Sequence, residues 1–146
     1  MGVHSAEAIW HGGLKEGKGN ISTESGAVNA AYSFGSRFED DKSGTNPEEL
    51  IGGALAGCFS MFLSSLLEKH GHVPKHIKTE AKVTLSKDDT GPLISKIELT
   101  TEATVENIEE ADFQKHVQDA KQNCPVSRAL RSIPEVTVTA SLSGDE

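Results

Sequence analysis

Eighteen consecutive residues, 50–67, carry no charge, and no other feature of the chain restricts its fold so strongly. Asn46-Pro47-Glu48-Glu49 stands just before them. Asn46 suits the capping position of a helix, Pro47 its first turn, and Glu49 sits three residues after the cap. Glu68-Lys69-His70-Gly71 follows, a basic last turn with a glycine stop. The spacing predicts one long helix over 46–70. At about 1.5 Å per residue the uncharged run would extend roughly 27 Å, close to the thickness of a bilayer core. Six of its residues are Gly or Ser, however: Gly52, Gly53, Gly57, Ser60, Ser64 and Ser65. The amphipathic strands elsewhere need an apolar body to pack on, and no other segment supplies one. The helix is therefore expected to be the central buried element of a soluble protein, not a membrane span.

Around it the pattern changes to short strands and turns. Residues 6–10, 20–23 and 27–34 read as an N-terminal meander within 1–45, and Asp40 opens a polar loop that runs to Gly44. After the helix, residues 79–85 alternate, with Ala81, Val83 and Leu85 on one face. Residues 97–105 alternate as well, with Ile97, Leu99, Thr101, Ala103 and Val105 together. A turn at 87–92 joins these two strands into a hairpin within 75–106. Residues 107–122 have a helical stripe of Phe113, Val117 and Ala120. Cys124-Pro125 ends that helix and can start a short one, and 136–142 is a final strand within 107–146. The expected class is α+β, in one domain covering 1–146.

A net charge of −8 repels phosphate backbones and anionic membrane surfaces, so neither nucleic acid nor membrane is an expected partner. The N-terminus lacks a basic stretch followed by an apolar run, and the two cysteines are too few for a secreted disulfide framework. The expected location is cytoplasmic. Of the six histidines, only His70, His72 and His76 cluster, and their Gly and Pro neighbours mark a connecting loop, so no metal site is expected. No phosphate-binding loop or serine nucleophile motif is present.

That leaves Cys58 and Cys124. Cys58 lies on the stripe Ile51, Leu55, Cys58, Phe62 and Leu66, where the residues alone suggest a small core side chain. Cys124 precedes a proline at a helix boundary, where backbone amides favour a thiolate. If the second helix packs on the first, the two sulfurs meet. In a reducing compartment such a pair is catalytic or redox-sensing more readily than structural.

Three blocks of residues resemble a known family. Asn46-Pro47-Glu48-Glu49-Leu50, the stretch from Ala54 through Cys58 to Met61, and Asn123-Cys124-Pro125-Val126-Ser127 are similar to the OsmC/Ohr family of thiol-dependent peroxidases. Trp10, the segment from Ile21 to Gly26, and Arg37-Phe38-Glu39 resemble the OsmC branch. In the Ohr branch an arginine commonly stands early, beside a Gly-Gly, but here Leu14 follows Gly12-Gly13. The resemblance implies antiparallel sheets around the long central helix and an intertwined homodimer. It also implies a cofactor-free enzyme in which Cys58 is peroxidatic and Cys124 resolving. The substrate would be a hydroperoxide and the reductant a dithiol, of the lipoyl type in the family. Arg37 would offset the burial of the Cys58 thiolate, and Glu48 would orient its guanidinium. Leu55, Phe59 and Phe62 would give the pocket an apolar wall suited to organic hydroperoxides. Glu48 and Cys58 are ten residues apart on one helix, roughly 15 Å along its axis and about 1000° of rotation. A Glu side chain does not span that distance, so either Glu48 does not share the Cys58 site or it reaches the Cys58 of a partner subunit, which the intertwined dimer implied by the resemblance would allow. A non-catalytic binder of small hydrophobes and a thiol redox sensor are the alternatives on the same fold.

Overall fold

The computed structural model describes residues 2–143. The chain divides into two compact units between Leu50 and Ile51.

The first unit is a three-stranded antiparallel sheet with a short helix. Strands β1 (Ala6–His11), β2 (Lys18–Thr23) and β3 (Asn29–Tyr32) lie in the order β1-β2-β3. Lys18 and Gly19, which precede the expected strand at 20–23, belong to β2. Gly19 lies opposite both Trp10 and Tyr32, whose rings meet with centres 5.3 Å apart. A Cβ at position 19 would stand 2.5 Å from the Tyr32 ring and 2.7 Å from the Trp10 ring, so the closeness of the aromatics requires glycine here. Helix α1 (Phe34–Phe38) has no counterpart in the sequence pattern. It forms because Ser33 and Ser36 make a reciprocal capping box, and the Ser36 hydroxyl also reaches the Thr45 carbonyl at 2.7 Å.

Helix α2 (Pro47–Lys69) runs unbroken across the predicted span. Its start is the predicted one, with the Glu49 amide donating to Asn46 Oδ1 at 2.7 Å. Gly71, at φ +87°, closes the other end, and the His72 amide returns to the Leu67 carbonyl at 2.8 Å.

The second unit builds its core on that helix. Strands β4 (His76–Asp88) and β5 (Gly91–Thr104) pair antiparallel, with an irregularity between Thr84 and Leu85. Both are longer than the alternating stretches that identified them, because hairpin pairing carries into the polar residues near the turn. Helices α3 (Glu110–Asn123) and α4 (Pro125–Ala129) lead to β6 (Glu135–Ser143). β6 pairs with β5 in parallel, which gives the order β4-β5-β6 and departs from an all-antiparallel sheet. The two helices between β5 and β6 make the long crossover that parallel pairing needs.

Leu55, Phe59, Leu63 and Leu67 of α2 meet Ile97, Leu99, Ala103 and Val105 and the predicted α3 stripe Phe113, Val117 and Ala120. At about 25 cal/mol per Å² of apolar surface, each large side chain buried here contributes roughly 1.5–3 kcal/mol. A hydroxyl chain ties helix to sheet: Ser60 to Thr79 at 2.7 Å, and Thr79 to Thr101 at 2.9 Å. The burial of α2 is one-sided in the single chain. Gly53, Ala54, Gly57 and Ser65 are exposed on the other side, and Met61 is 78% exposed.

Candidate active site

The four residues singled out by the sequence fall into two pairs, one in each unit.

In the second unit, Cys58 is half-buried in the middle of α2, and Cys124 is wholly buried between α3 and α4. Both thiols are free. Cys124 caps α4: its Sγ accepts from the Ser127 amide at 3.4 Å and its thiol donates to Ser127 Oγ at 3.2 Å. Pro125 occupies the first turn, where its missing N–H removes no bond. The next amide, that of Val126, donates to Cys58 Sγ at 3.5 Å. One five-residue helix thus presents consecutive amides to both sulfurs. The Ser three residues after Cys124 is the signal that could have revealed Ser127 as its partner. The Val126 amide could not have been found in the sequence, since it serves a residue 68 positions away.

Burial is the largest influence on Cys58 and pushes its thiol above the ordinary range. The Val126 amide opposes this by favouring the thiolate, while Cys124 pushes the value further up through a hydrogen bond and its own charge. The Cys124 thiol is therefore close enough to act on the proton of Cys58.

In the first unit, Arg37 closes a fork on Glu48. Its Nε donates to Oε1 at 3.1 Å and its Nη2 to Oε2 at 2.9 Å. Glu48 is only 6% exposed, and the pairing satisfies both of its oxygens. The capping box of α1 positions Arg37, and the first turn of α2 positions Glu48. The guanidinium also lies 5.2 Å from the centre of the Phe38 ring. It borders a cleft of about 240 Å³ walled by Trp10, Leu14, Tyr32, Phe34 and Phe38.

The expected wall around Cys58 needs correction. Phe59 is fully buried in the core. Leu55 does line a cavity, of about 330 Å³, together with Ser127, Leu130, Ile133 and Val136, and Lys121 and Arg131 add cationic lining. A helical stripe predicted from sequence marks a buried face; it does not distinguish core from cavity wall.

A family model described as OsmC-like protein matches residues 39–139, which include Glu48, Cys58 and Cys124. The chain belongs to the OsmC family. It is 47% identical over 144 residues to the peroxiredoxin OsmC of Escherichia coli, covering 97% of this chain and 99% of that one. Relatedness extends to an organic hydroperoxide resistance protein-like 1 of Staphylococcus saprophyticus, 29% identical over 85% of this chain and 87% of the other. Among solved structures, the organic hydroperoxide resistance protein OhrB of Bacillus subtilis superposes with a TM-score of 0.71 at 25% identity, covering 95% and 98% of the two chains. An OsmC-like protein of Vibrio cholerae shares the fold at a TM-score of 0.77 and 18% identity, over 97% and 100%. The α+β class and the OsmC-like architecture expected from the sequence are thus those of the chain.

Proposed function

We propose that this OsmC-family protein is a two-cysteine thiol peroxidase that reduces hydroperoxides, organic ones included, with Cys58 as the attacking thiolate and Cys124 as the resolving thiol. The observation that carries the reading is the shared helix head. Cys124 caps α4, and the next-but-one amide of the same helix holds the Cys58 sulfur. Kinship with a peroxiredoxin and with organic hydroperoxide resistance proteins supports the substrate class.

The Cys58 thiolate attacks the terminal oxygen of ROOH; the O–O bond breaks, ROH leaves after taking a proton, and Cys58 becomes a sulfenic acid. Cys124 sulfur then displaces water from that sulfenic acid and forms the Cys58–Cys124 disulfide. A dithiol reductant restores both thiols by exchange and leaves as its own disulfide. Ser127 Oγ, which accepts from the Cys124 thiol, is placed to orient the proton that Cys124 gives up.

Burial raises the Cys58 pKa, and the Val126 amide is a weak counterweight, so a cation is required for a reactive thiolate at neutral pH. Arg37, held in orientation by Glu48, supplies it in this proposal. It acts on the Cys58 of a second copy in an intertwined homodimer. Two observations support a dimer. Between Gly53 and Ser65 the exposed side of α2 is uncharged, and all buried apolar side chains among the described residues lie from Leu55 to Cys124. The meander's Ile9, Leu14 and Phe38 remain exposed and await cover. No cofactor takes part, and a reducing, cytoplasmic setting suits a cycle that must regenerate two thiols.

The test is catalytic consumption of cumene hydroperoxide with a dithiol present, followed with site-resolved thiol counting. One equivalent of peroxide should remove both thiols of the wild type together, and Cys58→Ser should abolish turnover. Turnover that survives Cys58→Ser overturns the assignment. Loss of thiols without turnover indicates a stoichiometric sensor instead. Mixed dimers of Cys58→Ser and Glu48→Ala chains test the trans arrangement; failure to recover activity removes it.

A further inference from the structure

The second unit carries a histidine pair that the thiol chemistry does not use. His70 follows the C-terminal end of α2, His116 lies on α3, and their ring centres are 4.6 Å apart with planes tilted by 45°. We propose that His70 and His116 form a surface site for one exchangeable divalent cation of the late first row, such as Ni²⁺ or Cu²⁺.

Three features support it. First, the spacing fits. With metal–nitrogen bonds of about 2.1 Å and about 1.1 Å more to each ring centre, two imidazoles at a right angle on one ion have centres roughly 4.5 Å apart. Second, His70 is already oriented. Its Nδ1 lies 2.8 Å from the Leu66 carbonyl, and a carbonyl only accepts, so Nδ1 carries the proton and Nε2 presents its lone pair. A ligating histidine is commonly held in this way, with its other ring nitrogen donating to a backbone carbonyl. Third, the surroundings suit a cation. The carboxylates of Asp112 and Asp119, one turn before and after His116 on α3, act electrostatically on it. Imidazole pairs favour nickel, copper and zinc over magnesium and calcium. Among the described residues no group of three or more His, Cys, Asp or Glu is arranged around a common point, so water completes the coordination and the ion exchanges freely.

Neither histidine contacts Cys58 or Cys124 in the hydrogen-bond and ring contacts above, so failure here leaves the peroxidase reading intact. The experiment is calorimetric titration of the full chain with Ni²⁺, in parallel with melting temperature. One ion per chain should bind, and the melting temperature should rise. His70→Gln and His116→Gln should each weaken binding by about tenfold or more, with little further loss in the double variant. His72→Gln and His4→Gln should leave it within about twofold. His70 is exposed, so its variant tests the site without risk to the fold. Absence of saturable binding, or affinity that neither His70→Gln nor His116→Gln lowers by threefold, overturns the proposal.

Discussion

Replacing Cys124 by serine should make Cys58 more acidic. In the folded chain Cys124 raises the Cys58 pKa twice over, by a hydrogen bond that favours the protonated pair and by the charge of its own thiolate. Serine removes the second ionisable group and keeps an oxygen to accept from the Ser127 amide, so the α4 cap survives. A net hydrogen bond is worth about 0.5–1.5 kcal/mol, and this bounds the effect of the exchange. The Cys58 midpoint should therefore fall, and the thiolate fraction below the midpoint should rise. The sign is that of an acid: a lower pKa moves the onset of reactivity to lower pH. The measurement is the rate of alkylation of the Cys58 peptide, followed by mass spectrometry from about pH 5 to pH 10 in both proteins. A second readout comes from the same variant. After one equivalent of peroxide its Cys58 sulfenic acid should persist and be captured by a dimedone probe, whereas the wild type should pass to the disulfide. An unchanged or more alkaline midpoint in Cys124→Ser would show that Cys124 does not depress Cys58 ionisation as described.

Other outcomes follow from the same contacts. Arg37→Met leaves the buried Glu48 carboxylate unpaired and should cost about 1–3 kcal/mol by denaturant unfolding, discounted for the exposure of Arg37. Arg37→Met/Glu48→Met should restore part of it, while Arg37→Lys should not replace the two-pronged pairing. In the same alkylation measurement Arg37→Met should shift the Cys58 profile to higher pH, the opposite of Cys124→Ser. Thr79→Val breaks the hydroxyl chain from Ser60 to Thr101 and should cost about 1–3 kcal/mol, roughly 3–10 °C in melting temperature for a chain of this length. Ser127→Ala removes the acceptor of the Cys124 thiol proton and should slow disulfide formation several-fold, with sulfenic acid formation unchanged in stopped-flow measurements.

Local signals were readable in advance wherever one short stretch of chain sets the outcome. The Asn46 cap and Gly71 stop bound α2 because a helix end is satisfied by residues a few positions away. The alternation from Ile97 to Val105 marked the buried face of β5, and the spacing of Phe113, Val117 and Ala120 that of α3, since periodicity records which side is wet. The cysteine blocks named the family, and Cys124-Pro125 already pointed to a helix start. Tertiary structure decided the rest. It brought the Val126 amide to Cys58 and set β6 parallel to β5 through a two-helix crossover. It took Phe59 into the core and left the far side of α2 bare. It also closed Arg37 on Glu48 by way of a short helix whose capping box the strand-like pattern had hidden. The physical reason is the range of the interactions. Capping and periodicity act over a turn or a pleat, whereas a thiol's proton answers to groups that folding gathers from distant parts of the chain.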